Sequence, residues 1–475
     1  MVFSSTIFLF GFLPAVLVCY FGQQLIGAKR LRNTILLLFS YLFYLYGAAG
    51  FLLILILSTL ADFALGHLIE HKTRLKRLWL SMSLLLNLGL LAYFKYANFF
   101  VAEINNLFAG WHHFPIEWQT VVLPIGISFF TFQKLSYTID IYRGKCPALN
   151  NIVDFALYIA MFPQLIAGPI VRFSTIRKQL KGRRESWDNF YNGIIRICWG
   201  LAKKVIIANS CGQIADVVFS LKPELLDTKV AWLGALGYTL QIYFDFSAYS
   251  DIAIGLGLIF GFTFPENFKR PYSAVSITDF WRRWHITLSR WFKDYLYIPL
   301  GGNRRGTART CLNMTIVCVL CGLWHGANWT FLFWGIYHGV FLVIERISGL
   351  RDLAHNQFRF ARRLLTLIIV VVGWVLFRSQ NISQAIDVLT AMFTFSDFPI
   401  TYELSRVLNY RNILFVLAAV PAFFLPADVS MIQLILNRKD PLPLVAGVVM
   451  ILLLLPYCAA LIIDGASSTF IYYRF

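Results

Sequence analysis

The stretch "TCLNMTIVCVLCGLWHGANWTFLFWGIYHGVFLVI", residues 310–344, contains no Asp, Glu, Lys or Arg. As one α-helix it would be about 50 Å long, whereas the hydrocarbon core of a bilayer is roughly 30 Å thick. Arg309 precedes it and Arg346 follows it closely, and basic flanks favour the cytoplasmic face. The stretch therefore predicts an antiparallel pair of membrane helices, each about 17 residues long, with "HGAN" (325–328) at the turn.

This turn places a histidine at membrane depth. His325 is followed by Gly326 and, two residues later, by Asn328. Irregular backbone inside a membrane is tolerated only where protein covers it or where it lines a cavity. Two interpretations stay open. The imidazole belongs to a polar site within a cavity, or it is a neutral structural group that is satisfied by a neighbouring backbone carbonyl.

The composition of the whole chain is typical of a membrane protein. Its 475 residues are 58% hydrophobic and 14% charged, and the apolar residues occur in repeated runs. We predict an all-α, polytopic membrane protein in which residues 1–475 form a single domain with about 10–12 transmembrane or partly inserted helices. The net charge of +18 arises from Lys and Arg in short loops. This pattern favours contact with anionic membrane lipids and argues against nucleic-acid binding.

The loops alternate in charge, as a chain that crosses the membrane repeatedly requires. Residues 28–33 and 71–77 are basic, whereas residues 102–118 contain no Lys or Arg. The amino terminus is therefore predicted to lie outside the cytoplasm. The uncharged run 34–61 is too long for one simple span, and "GAAG" (47–50) predicts a turn within it.

A second notable segment is "SITDFWRRWHITLSRWFKDYLYIPLGGNRRG", residues 276–306. Written as one helix, it collects its large aromatic residues and His285 on one face, while most of its basic residues occupy the others. Ser276 or Thr278 is a suitable cap for its start. Such a helix is typical of an interfacial anchor. A histidine on the aromatic face favours a role in a site.

Two carboxylates lie inside the apolar run 238–262, namely Asp245 and Asp251. Buried carboxylates are costly and usually paired. Lys203, Lys204 or an arginine of the predicted helix are the expected partners. The eight cysteines are scattered, and the C-x-x-C pair in the 310–344 stretch lacks a second pair, so we predict no metal site.

Three segments carry a resemblance to a known family. "FPQLIAGPIVRF" (162–173), "DFWRRWHITLSRWFKDYLYIPLGGN" (279–303) and "GLWHGANWTFLFWGIYHG" (322–339) resemble the signature segments of the membrane-bound O-acyltransferase family. The amino-terminal "MVFSSTIFLFGFLP" is similar to the bacterial branch that includes the alginate O-acetylation membrane proteins. The likeness extends from Met1 to about Arg378.

The resemblance implies helices arranged around a central tunnel, with His325 and His285 as the catalytic residues. It implies cytoplasmic acetyl-CoA as the acyl donor, no permanently bound cofactor, and a location in the bacterial inner membrane. The acceptor would be an extracytoplasmic polysaccharide, such as an alginate-like polymer, cellulose or peptidoglycan. A separate extracytoplasmic acetyltransferase of the SGNH type, with a serine–histidine–aspartate site, is the expected partner.

Roles for individual side chains follow from the chemistry of acyl transfer. A neutral imidazole suits a general base, which we assign to His325, although a transient acyl-histidine stays open. Asn328 is a candidate donor to the developing oxyanion, and Trp324 is a candidate substrate contact. Arg282 and Arg283 are candidates for binding the phosphates of the donor, although positive-inside bias alone would also place them there.

Three alternatives remain. D-alanyl or another acyl transfer to a cell-wall polymer would use the same chemistry. A transporter or flippase would show internal repeats, which we do not find. A scaffold of a polysaccharide-secretion complex would need no histidine site.

Overall fold

The computed structural model describes residues 1–25, 27–109, 116–350, 358–424, 441–465 and 470–471. These residues contain helices and no strand, which confirms the all-α prediction. The α-helices, in chain order, are α1 (Leu13–Leu25), α2 (Arg32–Ala48), α3 (Leu52–His71), α4 (Lys76–Phe108), α5 (Ile127–Tyr142), α6 (Ile152–Ala160), α7 (Phe162–Leu165), α8 (Phe173–Gly182), α9 (Trp187–Ala202), α10 (Asn209–Val218), α11 (Thr228–Ile259), α12 (Ile277–Arg283), α13 (Ile286–Phe292), α14 (Gly306–His325), α15 (Trp329–Ile347), α16 (Arg359–Arg378), α17 (Ile382–Phe393), α18 (Tyr402–Val407), α19 (Tyr410–Ala419), α20 (Pro421–Phe424) and α21 (Pro441–Ile463). Short π-helices occupy Ile7–Phe12, Lys203–Ala208 and Lys293–Tyr297, and single 3₁₀ turns occupy Lys29–Leu31, Ala49–Phe51, Thr73–Leu75, Pro223–Leu225 and Pro271–Ser273.

Seven helical segments within the described residues are long and apolar enough to cross a membrane. They are Arg32–His71, Lys76–Phe108, Thr228–Ile259, Gly306–His325, Trp329–Ile347, Arg359–Arg378 and Leu442–Ile463. Three shorter apolar helices, Ile7–Gln23, Ile382–Phe393 and Tyr410–Phe424, are suited to partial insertion. These segments agree with the predicted polytopic membrane fold, and the central tunnel stays a prediction.

The predicted turn at residues 47–50 is present. The apolar segment Arg32–His71 is 40 residues long, but it is interrupted where α2 ends at Ala48 and α3 begins at Leu52. Ala48 has φ −155° and ψ 48°, which lies outside helical geometry. Two spans of ordinary length therefore replace one long helix.

The chain divides into two compact units, which are Met1–Asn189 with Gly257–Phe264 and Phe190–Leu256 with Pro265–Phe475. The prediction of a single domain is not decided by this division. In the first unit, the fully buried Lys134 and Asp62 lie 3.9 Å apart, and Asp62 accepts hydrogen bonds from Ser83 and Asn87. Such pairing offsets the cost of burying charge within an apolar bundle.

The second unit is built around α11. Its most apolar window is 89% buried, whereas the windows of the other six candidate spans are at most 39% buried. Glycines let α9 approach α11 closely, since a Cβ on Gly200 would lie 2.6 Å from Ile252, and one on Gly255 would lie 2.7 Å from the Gly193 carbonyl oxygen. Small residues at such crossings are typical of membrane helices. The helix pair α14 and α15 belongs to the same unit.

Glycines also set the spacing of α14 and α15. A Cβ on Gly322 would lie 2.2 Å from the Phe331 carbonyl oxygen, and one on Gly335 would lie 2.5 Å from the Cys318 carbonyl oxygen. Because these obstacles are backbone atoms, they cannot turn aside as a flexible side chain can. The two helix backbones are therefore in direct contact.

We expect Gly322→Ala to lower the melting temperature of the detergent-purified protein markedly, because separating two backbones costs about 1–3 kcal/mol or more. Gly339→Ala is the matched control in the same helix pair, since its Cβ would meet the nearest atom at an ordinary 3.4 Å. This control should leave the melting temperature nearly unchanged. Equal melting temperatures for the two variants would contradict the proposed close packing at Gly322.

Candidate active site

The helix pair places His325 at the inner corner of its turn. His325 is the last residue of α14, and Asn328 begins α15 by accepting a hydrogen bond from the backbone N–H of Thr330 at 3.0 Å. The helices contain 20 and 19 residues, slightly more than predicted. The predicted antiparallel pair with "HGAN" at its turn is confirmed.

Aromatic rings surround the imidazole of His325. The side chain is only 4% exposed, and its ring centroid lies 4.8 Å from that of Trp324, 5.2 Å from Trp334 and 5.0 Å from Phe377. Gly326 is needed beside it, because a Cβ there would lie 2.3 Å from the Phe331 ring. The imidazole of His325 therefore lies in an enclosure of low polarity.

The prediction of one continuous helix through His285 is wrong. The segment forms two short helices, α12 and α13, and the chain breaks between them at Trp284 and His285. His285 has φ 40° and ψ 55°, in the left-handed region, which is costly for a residue with a Cβ. Two backbone hydrogen bonds with the loop before α12 hold this break: Lys269 N–H donates to the Arg283 carbonyl oxygen at 2.9 Å, and Ile286 N–H donates to the Asn267 carbonyl oxygen at 2.9 Å.

Asn267 fixes the orientation of the His285 ring. Its Oδ1 lies 3.0 Å from His285 Nδ1, and it accepts hydrogen bonds from Thr287 Oγ1 at 2.8 Å and Thr287 N–H at 3.3 Å. Since the backbone N–H can only donate, this atom is the amide oxygen, and His285 Nδ1 must carry the hydrogen. The basic nitrogen of His285 is then Nε2. Burial lowers the pKa of His285 to about 3, so the ring is neutral at physiological pH.

The start of α12 is anchored twice. Ser276 Oγ accepts from the Asp279 N–H at 3.0 Å, which confirms one of the two predicted caps. In addition, Glu345 at the end of α15 accepts from the N–H and the hydroxyl of Thr278, at 2.9 and 2.8 Å. A carboxylate at a helix amino terminus is favourable. The first acidic residue after the uncharged stretch therefore ties the helix pair to the segment that carries His285.

Trp324 brings the two predicted catalytic histidines together. Its indole lies 4.8 Å from the ring of His325 and 6.1 Å from the ring of His285. His285 is fully buried and also makes an edge contact with Phe246 at 4.7 Å. Two imidazoles thus share one indole within an aromatic enclosure. Such an arrangement suits proton transfer in a site that excludes water.

The other three residues predicted to bind substrate are Arg282, Arg283 and Asn328, and their contacts differ from one another. Arg282 is exposed in the last turn of α12, whereas Arg283 forms an ion pair with Asp279 at 2.9 Å. Asn328, besides capping α15, donates from Nδ2 to the Gln380 carbonyl oxygen at 2.8 Å. These contacts are structural, and the substrate-binding roles of these residues stay predictions.

Asn267 and Glu345 are the positioning residues that the sequence reasoning missed. Asn267 lies 18 positions before His285 in a loop, and Glu345 lies 20 positions after His325. Each lies in a different element from its histidine, so no periodic signal within one helix or strand marks it. The hint available was that Glu345 is the first charged residue after 35 uncharged ones.

The two carboxylates of α11 are paired, as predicted. Asp245 forms an ion pair with Lys204 at 2.6 Å, and Asp251 pairs with Lys203. The arginine beside Asp251 is Arg196 of α9, at 2.7 Å, rather than one from the predicted 282–290 helix. These contacts join α11 to α9 and to the π-helix Lys203–Ala208 that follows α9. Their role is structural.

We expect Asp251→Asn to destabilise the protein by about 3–5 kcal/mol, because it leaves two buried cations without their shared carboxylate. Glu266→Gln is the control, since Glu266 binds the same Arg196 but its side chain is 49% exposed. Its loss should cost less than about 1 kcal/mol. Unfolding in detergent measures both, and equal losses would contradict a structural role for the Asp251 pair.

Comparison with known proteins identifies the family of this chain. The profile of the membrane-bound O-acyltransferase family matches residues 147–384, which include both histidines and Trp324. The chain belongs to this family. It is therefore an O-acyltransferase and a multi-pass integral membrane protein.

The chain has similar relatives in several bacteria. It is 46% identical over 409 residues to the probable alginate O-acetylase AlgI of Pseudomonas putida, covering 86% of this chain and 83% of that protein. It is 37% identical over 448 residues to the peptidoglycan O-acetyltransferase of Helicobacter pylori, covering 87% and 84%. The teichoic acid D-alanyltransferase of Bacillus subtilis is 30% identical over 251 residues, covering 49% and 60%.

Proposed function

We propose that this protein transfers acetyl groups from cytoplasmic acetyl-CoA across the bacterial inner membrane for the O-acetylation of an extracytoplasmic polysaccharide. The observation that carries the proposal is that two buried histidines, His285 and His325, both contact the indole of Trp324. The names of the relatives that cover most of the chain support acetyl over D-alanyl transfer. The D-alanyltransferase matches only half of the chain.

In the proposed reaction His325 acts as the general base. The acceptor oxygen attacks the thioester carbonyl, its proton passes to the His325 imidazole, and the C–S bond breaks to release the CoA thiolate. His285, held by Asn267, presents Nε2 as a hydrogen-bond acceptor and acts by orienting the donor through an amide N–H of its pantetheine arm. The His325 imidazolium then gives its proton to the CoA thiolate and returns to its neutral form.

Arg282 is the better candidate for the donor's phosphates. It is exposed, whereas the charge of Arg283 is already partly compensated by Asp279. A guanidinium can bind phosphate in a bidentate manner, which a lysine cannot do. Binding of acetyl-CoA to Arg282→Ala should therefore be weaker than to Arg283→Ala.

We further propose that the acetyl group passes to a separate extracytoplasmic acetyltransferase of the SGNH type before it reaches the polymer. The test uses vesicles that contain the purified protein, with acetyl-CoA on the cytoplasmic side and polymer on the other. Acetylation should require addition of the second protein. Full acetylation of the polymer without it would show that the relay is wrong, and no thioester-dependent transfer under either condition would overturn the acetyltransferase proposal.

A further inference from the structure

The carboxyl end of α3 carries three metal-ligating side chains that acyl transfer does not use. His67, Glu70 and His71 are spaced i, i+3 and i+4, so they share one face of the helix. One ligand atom from each lies within 4.8 Å of the others. Two imidazoles and one carboxylate form the ligand set of zinc sites that keep a position for water. Although the sequence alone predicts no metal site, we propose that this cluster binds a divalent transition-metal ion of the zinc class.

The hydrogen bonding of His71 prepares it to be a ligand. Its Nδ1 lies 3.0 Å from the backbone carbonyl oxygen of His67. Since a carbonyl can only accept, Nδ1 carries the hydrogen, and Nε2 keeps the lone pair that binds a metal. Metal-ligating histidines generally donate their other ring N–H in this way, which fixes the tautomer and the ring orientation. The ring of His67 packs on Phe63 at 4.8 Å, which restricts that ring as well.

Glu70 is also held in place. Its Oε2 accepts a hydrogen bond from the Ala148 backbone N–H at 3.1 Å, which leaves the second carboxylate oxygen for an ion. Ala148 lies in the irregular segment between α5 and α6. An ion bound to Glu70 would therefore fix the end of α3 relative to this segment as well as to its own helix.

Two factors limit the affinity. Tetrahedral zinc with bonds of about 2.0–2.1 Å requires ligand atoms about 3.4 Å apart, so the side chains must turn inward from their present positions. Lys72 and Arg74 follow directly in the sequence and repel a cation. Salt weakens the repulsion from exposed cations such as Lys72 and Arg74, because exposed charges are screened over about 8 Å at physiological salt, but it does not weaken the bonds between the ion and its ligands. The carboxylate ligand also removes one unit of the ion's charge.

The test uses the full chain, purified in detergent with a tag that contains no histidine and stripped with a chelator. Calorimetric titration with Zn²⁺ should show one ion per chain, and Co²⁺ should give a visible absorption band at the same stoichiometry. His67→Ala and His71→Ala should each weaken binding by more than about tenfold, as loss of even an outer partner costs 10–100-fold. Zn²⁺ should raise the melting temperature of the wild-type chain and not that of either variant.

The control is a double variant, His112→Ala with His113→Ala. It removes two consecutive histidines that lie elsewhere in the sequence. It should bind Zn²⁺ as the wild type does. Equal melting temperatures of all variants in chelator establish that each is folded. Unchanged Zn²⁺ binding by a His67→Ala and His71→Ala double variant, or loss of binding in the control, would overturn the site.

Discussion

Replacing His325 by alanine is expected to lower the rate of acyl transfer by about 10²–10⁴-fold, because a positioned general base contributes that much to catalysis. The loss corresponds to about 3–5.5 kcal/mol of barrier height. The protein should still insert and fold, since a bundle packed by apolar and glycine contacts does not depend on one imidazole. Thioester-dependent turnover of purified protein in vesicles measures the effect.

His338→Ala is the matched control for lost packing. His338 lies on α15 of the same helix pair, is 1% exposed, and its ring contacts Trp334 at 5.0 Å, much as that of His325 does at 5.2 Å. Its removal should reduce turnover no more than a few-fold. Wild-type turnover in a folded His325→Ala variant would sink the assignment, and equal losses in both variants would assign the effect to packing.

The same preparation separates a general base from a covalent carrier. An acyl-histidine would release CoA from acetyl-CoA in the absence of acceptor, as a burst of one CoA per chain. A general base gives no such burst, because the thioester is attacked only by the acceptor. We expect no burst.

Replacing His285 by alanine is expected to lower turnover by about 10²-fold, the lower end of what a group in direct proton or hydrogen-bond contact contributes. Asn267→Ala should have a smaller but clear effect, because the ring then loses the acceptor that fixes its tautomer. Turnover against pH measures both. Near wild-type turnover in a folded His285→Ala variant would contradict a role for His285 in catalysis and would favour an interfacial anchor for residues 276–306.

Asn267→Asp distinguishes positioning from packing. A carboxylate next to His285 stabilises the imidazolium and so raises the pKa of His285 from about 3. As the pH falls, the ring then becomes protonated at a higher pH than in the wild type. The acid limb of the pH–rate profile should therefore shift to higher pH. Thr287→Val is the control, because it removes another donor to the same oxygen without touching the ring. An acid limb that stays in place in Asn267→Asp would contradict the role given to Asn267.

The sequence by itself determined the membrane fold and the position of one histidine. The 35 uncharged residues before Glu345 are longer than a bilayer is thick, and their basic flanks require both ends on one side. The helix pair with His325 at its turn follows from those two facts. Likewise, Asp245 and Asp251 could be predicted to be paired because an unpaired carboxylate in an apolar run is too costly.

Only the tertiary structure decided the surroundings of His285 and the identity of several partners. Helical periodicity predicts that His285 continues a helix, yet hydrogen bonds from the Asn267 loop offset the cost of its left-handed backbone. Arg196 rather than an arginine of α12 pairs with Asp251, and Trp324 contacts both histidines. Hydropathy and periodicity predict which face of each helix is exposed to lipid or water and which face is buried. Which side chains meet across helices depends on close packing and hydrogen bonds between residues far apart in sequence, and no local pattern encodes these.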